Sequence, residues 1–81
     1  AWEAKLREAV SLDQGYFEAR NNLGAFLART NRPVEAVEHL RAALSIDPNA
    51  TAVLNNLSAA LLALKDHKQA EQAARQALRI E

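Results

Sequence analysis

The chain has 81 residues, of which ten are basic and ten are acidic, so its net charge is zero. A neutral chain without a lysine or arginine block gives no electrostatic reason to expect binding to nucleic acid or to an anionic membrane. The absence of cysteine excludes disulfides and thiol chemistry, and the longest apolar run, residues 57–64, is far too short to cross a bilayer.

Apolar residues recur at helical spacing along the chain, and no segment alternates apolar and polar residues as a strand does. The breaks between these segments predict five helices. Pro33 suits a first helical position, and the residue before Pro48 is pushed out of helical conformation. Asp66 and Gln69 have the spacing of a capping box, which marks the start of the last helix. The predicted helices span residues 1–13, 17–30, 33–46, 51–64 and 67–80.

The sequence repeats with a period of thirty-four residues. The Asn-Asn-Leu segment at 21–23 returns at 55–57, and the Ala-Leu-x-Ile segment at 43–46 returns at 77–80. A fixed period of this size is typical of stacked repeat arrays. The chain therefore consists of the second half of one repeat followed by two full repeats, within a single segment. The boundaries are residues 1–16, 17–50 and 51–81 of the segment 1–81.

These repeats resemble the tetratricopeptide repeat, a thirty-four-residue pattern with Leu-Gly in its first helix and Asp-Pro between repeats. The corresponding pairs here are Leu23-Gly24 and Asp47-Pro48. The resemblance implies an all-α fold of antiparallel helix-turn-helix repeats stacked in a right-handed superhelix, an alpha-alpha solenoid of five helices. The family places small residues where two helices cross. These positions are Ala9, Ala36, Ala43, Ala70 and Ala77.

The second full repeat departs from the first at two packing positions. Ser58 stands in register with Gly24, and Ala74 replaces the large residue that Leu40 supplies one repeat earlier. In a repeat array each unit buries its apolar face only against its neighbours. We therefore expect thinner packing around the last helix.

In the family that the sequence resembles, first-helix side chains line a concave groove that holds an extended peptide. An amide has both donors and an acceptor, so Asn22 and Asn56, one repeat apart, are the candidates for reading a peptide backbone. The alternative is that they only bond within the helix stack. Ala59 and Leu62 favour a ligand with small or apolar side chains. The resemblance gives this groove the residues Glu18, Asn21, Asn22, Ala25, Arg29, Ala52, Asn55, Asn56, Ala59, Leu62 and Ala63.

Three arginines, Arg7, Arg41 and Arg75, recur in register on the second helices. A row of like charges could hold an acidic partner. Acidic residues lie close to each of them in the sequence, however, and neutralise the row. We interpret it as part of a solvated outer face.

No arrangement of residues predicts catalysis. The sequence has no Gly-rich phosphate loop and no nucleophile with a base at sensible spacing. His67 and Glu71 are four residues apart, as are Glu35 and His39, but a metal site needs three or four converging ligands. Surface pairing within a helix explains both pairs. We expect no enzymatic activity, no catalytic residue, no cofactor and no metal.

The expected function is that of a protein-interaction module that binds a protein or an extended peptide in the first-helix groove, without nucleic acid or membrane. The alternative is a self-assembly element that forms homo-oligomers through open repeat ends. We expect an intracellular, cytoplasmic location. The sequence itself does not determine the compartment. The open ends would carry Trp2, Leu6 and Val10 on one side and Ala70, Ala73 and Ala77 on the other.

Overall fold

The structure, a computed structural model, describes residues 3–5, 7 and 16–80. Residues 3–5 and 7 are helical and fall within the predicted helix 1–13, whose other residues lie outside the described part. Two predicted helices, 33–46 and 67–80, are confirmed to the residue, and the other two end one residue earlier than predicted. The four continuous helices are α1 (Phe17–Arg29), α2 (Pro33–Ile46), α3 (Thr51–Ala63) and α4 (His67–Ile80).

Both helical hairpins are closed by the same kind of turn. After α1, the Arg32 N–H donates to the carbonyl of Leu27 at 2.9 Å, around Asn31 with a left-handed φ of 63°. After α3 an equivalent bond, also 2.9 Å, closes around Lys65 with a φ of 62°. This closure, with a left-handed residue just beyond the helix, is the Schellman motif. Asparagine tolerates that conformation better than lysine does, so the second turn is the more strained.

Aspartates fix the start of α4 and the connection between the two hairpins. Asp66 Oδ1 accepts the backbone N–H of Gln69 at 3.2 Å, and the Gln69 side chain donates to Asp66 Oδ2 at 2.9 Å. The predicted cap is thus confirmed, although the glutamine bonds the carboxylate and not the backbone N–H that a capping box uses. Asp47 accepts the Asn49 N–H with its side chain and the Ala50 N–H with its carbonyl, which turns the chain from α2 into α3.

Leucine and alanine side chains from all four helices form one core. Because alanine lets helix backbones approach closely, the crossings are tight, and leucine fills the space between them. The principal core residues are Ala19, Leu23, Leu27, Ala36, Leu40, Ala43, Val53, Leu57, Ala60, Leu61, Ala70 and Ala73.

The expectation that Ala70, Ala73 and Ala77 form an open end was wrong. All three are buried. Of the described helices, α4 packs only against α3, so its buried face is the one turned toward its own hairpin partner. Ala70 and Ala77 are in register with Ala36 and Ala43, which are buried in the same way. These alanines therefore hold the hairpin together and are not available to a second molecule.

The helices pack unevenly across the repeat boundary. The first helices, α1 and α3, contact each other, whereas the backbones of α2 and α4 stay apart. The stack therefore curves, with α1 and α3 on its inner side and α2 and α4 on its outer side. None of the helices in the described range is long and apolar enough to cross a membrane.

Candidate interaction surface

The groove residues predicted from the sequence lie on α1 and α3 at spacings of three and four residues, which puts each set on one helix face. The candidate site comprises nine of these residues, all except Glu18 and Ala52, and none of the nine is buried in the core. We call this face of the two first helices the inner surface. Its exposed members are Asn22, Arg29, Asn55, Ala59, Leu62 and Ala63, and its half-buried members are Asn21, Ala25 and Asn56.

An amide–amide hydrogen bond crosses the inner surface. Asn56 Nδ2 donates to Asn21 Oδ1 at 3.0 Å and so links α3 to α1. The sequence pairs Asn22 with Asn56 by register, but the side chain that Asn56 contacts is Asn21. Asn56 therefore has a structural contact, as the alternative interpretation of these asparagines anticipated, and this contact does not use all of its bonding capacity.

The amides of the inner surface keep donors and acceptors for a ligand. Asn56 retains one N–H and its carbonyl oxygen, and Asn21 retains both N–H groups. Within the described part of the chain these groups have no other hydrogen-bond partner, and the exposed side chain of Asn22 makes no hydrogen bond there. The inner surface therefore presents donor and acceptor groups side by side, as a peptide backbone requires.

A pocket of about 300 Å³ opens beside Leu62, between α3 and α4. Leu62 itself is 52% exposed. The pocket exists because Ala74 is short: its counterpart in the first repeat, Leu40, is fully buried. The pocket is mainly apolar, and it is lined by Ser58, Leu62, His67, Ala70, Glu71 and Ala74.

Two of the three recurring arginines on the outer side contact the next repeat, which the sequence analysis missed. Arg7 Nη2 lies 2.7 Å from Glu35 Oε2, and Arg41 Nη2 donates to Gln69 Oε1. In both cases the two residues are 28 positions apart. The signal was present as a fixed offset between a basic residue and an oxygen acceptor, but we compared only residues within one helix turn.

Charged groups at the start of the outer side have shifted pKa values. Hydrogen bonds from Arg32 and then from Arg7 lower the pKa of the Glu3 carboxyl, which is thereby kept ionised. The Arg32–Glu3 bond measures 2.7 Å. The hydrogen bond to Glu35, followed by that to Glu3, raises the pKa of Arg7. These contacts form a charge network that joins the N-terminal helical residues to the start of α2.

Among the described residues, His39 Nδ1 is the one buried side-chain nitrogen or oxygen without a hydrogen-bond partner. Burial lowers the pKa of this imidazole, and the nearby positive charges of Arg20 and Arg7 lower it further. A neutral imidazole is thus favoured in the fold. In the described part of the chain no three His, Asp or Glu side chains come together as metal ligands would.

The other predicted site concerns self-association. Trp2, Leu6 and Val10 lie outside the described residues, and self-assembly through them stays a prediction.

Comparison with known proteins agrees with this geometry. A search of curated proteins found no match. The family model described as tetratricopeptide repeat matches residues 15–80, which is most of the chain. The matched part contains both hairpins and the whole inner surface. The chain therefore belongs to the tetratricopeptide repeat family, whose repeats generally mediate contacts between proteins and are not themselves enzymes.

Proposed function

We propose that the chain captures an extended peptide segment of another protein along the inner surface of α1 and α3. In this proposal Asn22 and Asn56 bond to the peptide backbone, and Ala59 and Leu62 contact its side chains. The observation that carries the proposal is the half-exposed Leu62, which lies beside an apolar pocket on the same helix as unused amide groups. An exposed apolar side chain next to polar groups with spare bonding capacity is a typical recognition surface.

Backbone recognition follows from amide chemistry. A peptide group presents one N–H and one C=O, and a side-chain amide can pair with both, whatever the ligand's side chains are. Asn22 is exposed on α1, and Asn56 retains its acceptor oxygen after bonding Asn21. Two such amides on neighbouring repeats would hold a strand at two points.

Side-chain preference follows from the neighbours of these amides. Ala59, Leu62 and Ala63 are uncharged and exposed, and Arg29 is the one cation among the nine proposed site residues. Because burying an unpaired charge is costly, the surface favours small or apolar ligand side chains.

The experiment uses fluorescent octapeptides, capped at both ends, in which leucine alternates with alanine or serine. Fluorescence anisotropy should detect their binding to the wild-type chain, and Asn22→Ala should weaken it about fivefold, as expected for one lost hydrogen bond. Methylation of alternate peptide nitrogens should have a similar or larger effect, because it removes the backbone donors. Gln72→Ala is the matched control, since it truncates an exposed amide on α4.

Asn56 requires a second measurement, because its side chain also bonds Asn21. Asn56→Ala should weaken peptide binding and also lower the free energy of unfolding by about 1 kcal/mol. Asn22→Ala should leave the unfolding transition unchanged. Equal binding by the wild type, Asn22→Ala and the methylated peptide would contradict backbone recognition at this surface.

The contribution of the pocket is tested with Leu62→Ser. Loss of this exposed side chain should reduce binding of the leucine peptides more than of an all-alanine peptide. Val34→Ser is the control, because Val34 is an exposed apolar residue on α2. Equal effects of the two substitutions would mean that the leucine peptides do not use the inner surface.

A further inference from the structure

One side-chain contact joins successive second helices. Arg7 bonds Glu35, and Arg41 bonds Gln69. Each acceptor is the third residue of its helix, α2 or α4. The contact therefore recurs at each boundary at which the structure describes both partners. An arginine in this position donates a hydrogen bond to a side-chain oxygen in the first turn of the second helix of the following repeat.

Arg75 occupies the same position on α4, and like Arg7 it pairs with a glutamate four residues earlier in the chain. Arg75 Nη2 lies 2.8 Å from Glu71 Oε1, and Arg7 Nη2 lies 2.8 Å from Glu3 Oε2. The two pairs are separated by two repeat periods. The Arg75–Glu71 side chains are 71% and 63% exposed, whereas the Arg7–Glu3 side chains are 40% and 23% exposed. The difference in exposure comes from the partners that cover only the earlier pair.

The partners of the Glu3–Arg7 pair lie at the start of α2. Arg32, just before the helix, donates to Glu3, and Glu35 in its first turn accepts from Arg7. Arg32 and Glu35, three residues apart, thus match Glu3 and Arg7, four residues apart: each arginine contacts a glutamate of the other pair. The charges complement each other at both points.

We propose that this chain associates head to tail, with the Glu71–Arg75 pair of one copy bound to Arg32 and Glu35 of a second copy. The α4 helix of one chain then takes the place of the N-terminal helical residues of the other. The acceptor surface, formed by Arg32 and Glu35, already holds a glutamate–arginine pair with the same spacing, Glu3 and Arg7, in the same chain. The partner is a second copy because its α2 carries both complementary charges at the required spacing.

An apolar side chain supports the same face of α4. Leu78 is 75% exposed, whereas Leu44, the residue in register on α2, packs partly buried against the core. A hollow of about 480 Å³ lies around Leu78, between Gln72, Arg75 and Arg79. The neighbouring chain would cover Leu78 much as α3 and α4 cover α2.

Exchange at the acceptor surface is feasible because the described contacts there are solvent-exposed ion pairs. Arg32 is 43% exposed and Glu35 is 42% exposed. Such pairs are individually weak, so a second chain can replace them. Removing the competing pair with Glu3→Ala and Arg7→Ala should therefore strengthen association.

The test is a charge exchange measured by sedimentation velocity over a concentration series to millimolar. The wild type should grow in mass with concentration. In the Arg75→Glu variant, residue 75 would repel Glu35 of the next chain. In the Glu35→Arg variant, residue 35 would repel Arg75 of the next chain. Each variant should therefore associate at least about tenfold more weakly than the wild type. An equimolar mixture of the two variants restores an opposite-charge pair at every contact and should regain wild-type association.

Lys68→Glu is the matched control, since it makes the same charge change on an exposed position of α4 outside the contact. Its association should equal that of the wild type, and circular dichroism should show the same helix content for all variants. A wild type that stays monomeric throughout, single variants that associate normally, or a mixture that fails to recover would each overturn the proposal. The inner-surface variant Asn22→Ala should not alter association, so this proposal and peptide capture can fail independently.

Discussion

The two full repeats pack their first helix against their second with different residues at the crossing point. In the first repeat Gly24 leaves room for Leu40: a Cβ at Gly24 would lie 2.6 Å from Leu40 Cγ. In the second, the residues in register are Ser58 and Ala74, and Ser58 Oγ donates to the carbonyl of Ala70 at 2.9 Å. In the first repeat the larger side chain of the crossing, Leu40, is on the second helix, and in the second repeat it is Ser58, on the first helix. The comparison shows that a crossing tolerates bulk on either helix but not on both.

The Ser58–Ala74 pair has a smaller total side-chain volume than the Gly24–Leu40 pair, and a pocket lies beside it in the second repeat. A serine does not replace the volume of a leucine, so space stays open beside Ala74, next to Leu62. The first crossing is thus the better filled, and the second leaves the pocket that we propose as part of the binding surface.

The largest effect is expected at the leucine of the first crossing. Leu40→Ala should lower the free energy of unfolding by about 2–5 kcal/mol, because Leu40 is completely buried and its removal leaves a cavity. Leu78→Ala, a matched truncation at an exposed position of the second repeat, should change it by less than about 0.5 kcal/mol. Urea denaturation followed by circular dichroism measures both. Equal losses would contradict the difference in burial between these two leucines.

The crossing itself can be rebuilt in the first repeat. Gly24→Ser should cost about 1–3 kcal/mol, because the added side chain collides with Leu40. Combining it with Leu40→Ala reproduces the pair of the second repeat, so the double variant should lose less than the sum of the single losses. A double-mutant cycle from denaturation midpoints gives this coupling. Strict additivity would contradict the compensation that we infer.

The hairpin turns should respond in opposite directions. Lys65→Asn should stabilise the fold by about 0.5–1 kcal/mol, because asparagine adopts a left-handed conformation at lower cost than lysine does. Asn31→Lys should destabilise it by a similar amount for the same reason. Thermal unfolding of the pair detects the sign, and a loss of stability in Lys65→Asn would show that its turn is not strained.

The smallest effect is the pH dependence that His39 contributes. Burial lowers its pKa below the ordinary value of about 6.5, so the unfolded chain binds a proton there before the folded chain does. Stability should therefore fall as the pH drops below about 6.5, until the folded-state pKa is reached. Arg20 and Arg7 act in the same direction as burial, whereas Glu35 and Glu38 oppose it.

Urea midpoints measured between pH 7.5 and 5.5 should show this slope for the wild type. His39→Gln should flatten it. A steeper slope in His39→Gln would reverse the sign argued here.

The sequence predicted the helices closely because apolar spacing and turn residues are local. Thr30 and Leu64 continue the apolar pattern, but the structure makes them helix caps. That error arose because periodicity does not register where backbone bonds stop. The burial of Ala70 and Ala77 was available from their register with the crossing alanines of the first repeat, and we assigned them to the end face against that register.

The candidate site was less predictable. Asn21, Asn22, Asn55 and Asn56 recur as pairs, so register alone matches Asn22 with Asn56. The bond between Asn56 and Asn21 depends on how α3 is displaced along α1, which neither repeat encodes. The pocket beside Leu62 likewise depends on two helices, because Ala74 on α4 opens it.

The most direct test of peptide capture on the inner surface is a nuclear magnetic resonance titration with the capped octapeptide. We expect the side-chain amide resonances of Asn22 and Asn56, and the backbone resonances near Leu62, to shift with one common saturation curve. The resonances of α2 should stay in place. Shifts confined to α2 and α4, with Asn22 and Asn56 unmoved, would contradict the account.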